Sequence, residues 1–456
     1  MTQVKTSHFR TVITLTIVPL LALTACSGTS TSISPPQPTS EIATTNRSAQ
    51  LTKQTTYAYT HQQPDGNRYV PGKSTFPDAP FIDIELAGSP RWLVAAPFGA
   101  GTLWVATLQD GRAQAFQVQD GQAVETTITP ETLPIGAPPL LAITGGEAFL
   151  VAGPNDAASQ LTHPVPLGTS GRLAFIETGG DLVIWEDGSE MGRLAVDALP
   201  DARLLVDEHE RVLLLTAPST RYPHGIVGDR WEATEFTLVE TRPSIQVAQT
   251  ISIPGQAVVE GIAPIWADLN GDGKREIIVT ISDAEQGAQV VVYAESGKLQ
   301  ATGPAVGRGN RWRHQIAVAP FGSGGGLELA EVLTPHIGGI AGFYRLDDDS
   351  LDLSVQEGGV TSHSIGSRNL DMGLAADLDG DGQPELVVFN QQFTEITALR
   401  RTANGAQLAW QTPVDGKAVT NLATAIDSNG SLSVGVGRDD KILRVWSAPE
   451  TAPKTP

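Results

Sequence analysis

The 456-residue chain reads as an all-β repeat protein. Two acidic loops share one spacing, and each leads into a short apolar run rich in β-branched residues. Elsewhere short strand-like runs alternate with small-residue turns, and helical periodicity is almost missing. A tetrapeptide also returns, as Ala96-Pro97-Phe98-Gly99 and as Ala319-Pro320-Phe321-Gly322. Residues 80–447 are long for one ordinary core, and repetition of one strand unit absorbs that length.

The N-terminus reads as a processing signal. Lys5 and Arg10 form a positive region, and Val12 to Leu23 is an apolar stretch too short to span a membrane as a mature helix. Leu23-Thr24-Ala25-Cys26 looks like a bacterial lipobox. Cys26 is the only cysteine, so no intramolecular disulfide is open to it. The expectation is a lipoprotein signal peptide over 1–25, cleavage before Cys26, and a lipid anchor there to a bacterial membrane. Ser27 is compatible with outer-membrane sorting, by resemblance to known lipoproteins. A secreted protein with a stray cysteine is the alternative. Residues 26–79 are rich in Ser, Thr, Pro, Gln and Asn and read as a disordered tether. Residues 448–456 read as a loose tail.

Removal of residues 1–25 takes away Lys5 and Arg10 and no acid, so the formal charge moves from -20 to -22. Such acidity disfavours nucleic-acid partners.

The acidic loops run Asp268-Leu269-Asn270-Gly271-Asp272-Gly273-Lys274-Arg275-Glu276 and Asp377-Leu378-Asp379-Gly380-Asp381-Gly382-Gln383-Pro384-Glu385. Oxygen side chains stand at positions one, three, five and nine, and glycine at four and six permits a tight wrap. Ca²⁺ takes six to eight oxygens at about 2.3–2.6 Å. The expected side-chain ligands are Asp268, Asn270, Asp272 and Glu276, then Asp377, Asp379, Asp381 and Glu385. The carbonyls of Lys274 and Gln383 are expected to add one each. An EF-hand is excluded, because its position-twelve glutamate is replaced by Val279 and Val388. Each loop instead reads as a strand–loop–strand corner, with a solvated acidic turn as the alternative. Pro320, Gly322 and Gly324 take the ligand positions of a third corner, aligned through Glu328, which has kept the turn and lost the metal.

On these loops the chain resembles the FG-GAP/VCBS repeat proteins, which include the propeller of integrin α-subunits. The resemblance implies a β-propeller with calcium between the first two strands of some blades. Eight inner strands are expected to start near Leu93, Leu140, Leu173, Leu204, Ile262, Gln315, Gly373 and Leu422. Their spacing is irregular, and seven blades is the alternative to eight. Phe81-Ile82-Asp83-Ile84-Glu85-Leu86 alternates as a strand and is expected to complete the last blade, protecting the ring's edges. A β-sandwich, or two smaller β domains, is the competing fold.

In such a ring the calcium corners share one face, and blade links share the opposite face with the second-to-third-strand loops. Arg91, Trp92, His224, Arg311, Trp312, Arg313, His314, His336, His363 and Arg368 all fall in the second set. They are expected to gather at the channel mouth and to favour an anionic ligand or a glycan. Packing roles for the Trp residues and loop bracing for Arg and His are the alternatives. Asp207-Glu208-His209-Glu210 reads as a charged turn.

The leading functional reading is a non-catalytic, calcium-stabilised binding module on the cell envelope, with both Ca²⁺ ions structural. The runner-up is a lyase-like enzyme on an acidic polysaccharide, with the His/Arg group as base and clamp. Against it, the chain lacks a Gly-x-Ser-x-Gly elbow, zinc-type His/Cys spacing and a phosphate-cradling glycine loop. The third reading is an envelope scaffold, marked by a shallow apolar patch on one rim.

Overall fold

The computed structural model describes residues 55–347 and 349–447. The expected signal peptide, Cys26, the first part of the expected tether and the expected 448–456 tail lie outside them. The described chain is built from strands, with one 3-10 turn at Phe76–Asp78 among the described residues.

Antiparallel meanders follow one another along the chain. One runs Pro90–Phe98, Gly101–Leu108, Ala113–Gln119, Gln122–Thr126 in spatial order. Side chains on a strand point alternately to opposite faces, and here both faces are buried. Leu93, Ala95, Trp104 and Ala106 pack with Ala423, Ala425, Leu443 and Val445 of the last sheet. Val94, Ala96, Leu103 and Val105 pack with Leu141 and Leu150 of the next one. A sheet apolar on both faces needs a neighbour on each side, which favours radial stacking over a two-layer sandwich. The fold is a β-propeller.

The expected strand starts fall in or beside successive strand groups. Leu93, Leu140, Leu173 and Gln315 lie within strands, and Leu204, Ile262, Gly373 and Leu422 lie just ahead of one. At two places a further strand lies inside the expected one. Val165–Leu167 pairs inside Arg172–Ile176, and β1 (Thr56–Tyr59) pairs inside Leu140–Thr144. Val258–Val259 bridges two groups and Thr302 pairs with Ser350 of a third, so three of them share one hydrogen-bonded sheet.

Ring closure follows the expectation. The strand Phe81–Glu85 pairs antiparallel with Ile442–Trp446 as the outermost strand of the last sheet. At the seam Trp104 fits against Gly435, where an added Cβ would stand 2.4 Å from the indole.

The tether expectation is corrected from Thr55 onward. Besides β1, β2 (Tyr69–Lys73) pairs parallel with Leu374–Asp377, and Phe76 is buried against Trp410 and Trp446. Residues 62–68 cross the middle of the ring. Pro64 O accepts from Val206 N at 2.9 Å, Asp65 O from Trp266 N at 3.0 Å, and Arg68 O from Ala375 N at 2.9 Å. Asn67 exchanges two 2.9 Å bonds with Val318, and Gln62 Nε2 donates to Leu422 O at 3.2 Å. This strap owns few apolar residues, so composition made it look unable to order. It orders because the inner strands of five groups supply its partners.

Candidate functional site

Both acidic loops are hairpin corners between paired strands, Ile265–Ala267 with Glu276–Asp283 and Leu374–Asp377 with Glu385–Asn390. The third corner keeps the register: Ala319 pairs with Glu328 as Ala267 pairs with Glu276 and Ala376 with Glu385. Its Glu328 binds Arg401 at 3.1 Å.

Each acidic loop is wound by its first residue. Asp268 accepts from Gly271 N (2.6 Å) and Gly273 N (2.9 Å), and Asp377 from Gly380 N (2.8 Å) and Gly382 N (3.0 Å). These four glycines have φ between 78° and 94°, the left-handed region that a side chain disfavours. Asn270, Asp272, Asp379 and Asp381 each accept from the amide two residues on, those of Asp272, Lys274, Asp381 and Gln383. Glu276 and Glu385 close their loops on the amides of Leu269 (2.8 Å) and Leu378 (3.0 Å).

In the second loop carboxylate oxygens of Asp377, Asp379, Asp381 and Glu385 lie within 4.8 Å of one another. Oxygens on opposite sides of a Ca²⁺ ion stand about 4.6–5.2 Å apart, twice the usual bond length. The donor set fits that ion. Arg400 reaches into the same loop, pairing with Asp379, Glu385 (2.7 Å) and Asp381 (3.1 Å). Burial pushes the Glu385 carboxyl up to about 7, against the pull of Arg400. In the first loop the amide of Asn270 turns to Glu276 (3.3 Å), and Arg275 turns outward to Asp65 and Glu208, both at 2.7 Å.

The predicted mouth residues divide. His224, Trp312, His314, His336 and His363 converge. Trp312 lies between two near-parallel imidazoles, His314 at 4.6 Å and His336 at 6.0 Å, with His363 edge-on at 5.0 Å. His363 Nε2 meets Ser367 O at 2.7 Å and must donate, so its Nδ1 accepts the 2.7 Å bond from His336 Nε2. His224 pairs with Glu260, whose carbonyl accepts from Trp312 Nε1 at 3.1 Å. Arg91, Trp92 and Arg368 line a separate cleft of about 200 Å³. Arg311 is exposed and donates to the Arg308 carbonyl at 3.1 Å. Arg313 is turned into the sheet packing, where it pairs with Glu331 and bonds Tyr344 Oη at 2.8 Å.

The expected basic mouth is corrected on two grounds. Two of the four arginines carry carboxylates: Arg368 holds Asp201 at 2.7 Å and Asp229 at 2.5 Å, and Arg313 holds Glu331. His314, His336 and His363 are neutral, because burial opposes the charged form. It pushes His363 down to about 3, His336 to about 4 with help from His224, and His314 well below its ordinary value. Trp92 and Trp312 are buried, so neither offers a free stacking face.

Sequence reasoning missed the interior beneath the mouth. Arg68 of the strap and Arg203 both bind Asp371 Oδ1, at 2.8 and 2.7 Å. Burial alone raises a carboxyl, but the two guanidiniums win and hold Asp371 well below the carboxylate range. His61 and His163 stack beside them with centroids 5.9 Å apart. Buried Ile226, Val227, Ile262, Trp312 and Leu370 form a small apolar cluster of their own. No signal in the sequence tied Arg68, Arg203 and Asp371 together, since they lie on three distant segments.

No protein-family model matches the chain, and no curated protein does. Among solved structures it is similar to a europium-containing methanol dehydrogenase (8% identity, covering 83% of this chain and 89% of that one, TM-score 0.48). It is also similar to the C-terminal WD40 domain of Sif2 (10%, 81% and 99%, 0.45). A third likeness is to a chain of the mitotic checkpoint complex (12%, 82% and 95%, 0.42). At these scores the likenesses say nothing about function, and strand pairing defines the fold.

Proposed function

We propose that this chain is a bacterial envelope lipoprotein whose calcium-clamped propeller works as a binding scaffold for a protein partner. The observation that carries the reading is an apolar rim on the face opposite the acidic corners. Ile135, Trp231, Ile337 and Ile365 are 67%, 47%, 74% and 64% exposed there. Their loops adjoin: Gly136 lies against Arg91, Arg91 and Ile365 share one cleft, Gly366 N donates to Ile226 O at 2.8 Å, and His336 beside Ile337 bonds His363 at 2.7 Å. Exposed apolar groups on one rim are a docking signature, while scattered ones are ordinary. On the same face Arg368 is paired with Asp201 and Asp229, and Trp312, His314 and His363 are buried, which leaves less for an anionic ligand or a lyase substrate to use.

Calcium enters this reading as a clamp. Asp377, Asp379, Asp381 and Glu385 would hold one ion, and Asp268, Asn270, Asp272 and Glu276 the other. An ion there neutralises clustered carboxylates and ties one strand end to the next. The FG-GAP/VCBS resemblance supports it, as does the convergence of the second loop.

The test combines Ile337→Asp and Ile365→Asp in the full-length lipoprotein. Site-specific photocrosslinking at Ser364 in cells should give a discrete adduct that the double variant loses while its melting temperature is kept. Calcium-dependent product release from a uronate polysaccharide panel would instead make it an enzyme. Labelled palmitate should enter the wild type and not Cys26→Ser.

A further inference from the structure

We infer that the docking rim takes an acidic segment of its protein partner, with one Asp or Glu side chain of that partner entering the cleft beside Arg91. The inference rests on the docking reading and adds the chemistry of what docks.

Arg91 is half-buried and, among the described residues, has no hydrogen-bond or ion-pair partner. Its guanidinium lies over Gly136, where an added Cβ would stand 3.2 Å from Nη2. Arg91 and Arg368 both line the cleft, and no acidic residue does. Arg368 already holds Asp201 and Asp229, so Arg91 carries the unspent charge. Clefts elsewhere mix the signs: Arg172 and Arg242 share theirs with Glu186, and Arg400 and Arg401 theirs with Asp381. In a chain with 50 acidic and 30 basic residues, a cleft whose charged lining is arginine alone selects for negative charge. A free guanidinium takes a carboxylate through two parallel N–H bonds.

Size separates a side chain from a free small molecule. The cleft holds about 200 Å³, below the roughly 300–1,000 Å³ of small-molecule pockets. Apolar groups surround it. Ile365 is on its wall, and Ile135 precedes the glycine that Arg91 covers. Trp231 N donates at 2.8 Å to the same Asp229 that Arg368 holds. An acid flanked by apolar residues matches the arginine and its apolar neighbours together. An anionic membrane fits less well, because it calls for a cluster of basic groups and is repelled by a net charge of -20.

The test is selection of a randomised peptide library, displayed on phage, against the full-length lipoprotein in calcium. The enriched peptides should carry Asp or Glu beside aliphatic or aromatic residues. Replacing that acid by its amide should weaken binding to the wild type about tenfold. Arg91→Glu should weaken it at least as far, and a lysine in place of the peptide's acid should restore binding to that variant. The amide comparison uses the wild type alone, so it decides the matter even where Arg91→Glu does not fold. Peptides that bind through apolar residues, indifferent to the amide, would overturn the inference and leave the docking rim standing. No enrichment over the Ile337→Asp, Ile365→Asp double variant would sink both. Binding to phosphatidylglycerol vesicles with no peptide selected would assign the cleft to lipid and overturn the inference as well.

Discussion

The acidic corners and the buried Arg68–Asp371–Arg203 cluster hold polar side chains in opposite ways. At the corners every winding bond is local: Asp377 accepts from Gly380 and Gly382, and Glu385 from Leu378. In the cluster Asp371 meets Arg68 from 303 residues away and Arg203 from 168. The corner is a motif that any short peptide of that spacing carries. The cluster exists only once the ring has closed around its strap. The difference separates what calcium stabilises from what holds the ring together.

The largest expected effect breaks the comparison at the strap. Deleting residues 55–76 removes β1, β2, Arg68 and the Phe76 anchor together. Loss of cooperative unfolding by circular dichroism is expected, and a variant melting within a few degrees of wild type would show that the ring is self-sufficient.

Next comes Asp371→Ala, which leaves two guanidiniums buried without their carboxylate. The expected loss is about 3–5 kcal/mol from denaturant midpoints. Asp381→Ala in calcium-free buffer, at an exposed position of the second corner, should cost below about 1 kcal/mol. Similar losses at both sites would erase the distinction.

Acid sharpens it further. The fold holds His163 and His336 down at about 4 and His363 at about 3, chiefly by burial. The unfolded chain binds those protons near pH 6.5. Their contribution is therefore fully present above about pH 6.5 and is lost as pH falls toward 4. Each histidine removes up to about 1.4 kcal/mol per pH unit in that window. Urea midpoints at pH 7 and pH 5, in saturating calcium, should differ accordingly. A flat profile would mean that water reaches these rings.

The smallest effect distinguishes the two corners. Arg400 competes with a cation for Asp379, Asp381 and Glu385, and among the described residues no arginine or lysine pairs with the first loop's Asp268, Asp272 or Glu276. Arg400→Gln should raise calcium affinity at the second corner about tenfold and leave the first unchanged, by calorimetry. Chelation should lower the wild-type melting temperature.

Much of the ring was legible in one dimension. Period-two apolar runs marked where strand groups begin, and Phe81 to Leu86 announced the closing strand. The corners were legible because glycine and acid spacing is a local code. The mouth was only half legible. Loop membership correctly brought Trp312, His314, His336 and His363 together. It said nothing of burial, and burial turned the histidines neutral and hid the indoles. Arg313 went astray because strand pleating, rather than loop position, aims its side chain at Glu331.

By itself the sequence determined the local chemistry: which residues alternate, where the chain turns, and which oxygens a corner can gather. Those properties need only neighbours within a few residues. The tertiary structure alone decided that residues 55–76 fold, that three charges meet in the centre, and that an apolar rim faces outward. Each of these depends on a surface that several remote strands make together, and no short window of sequence contains it.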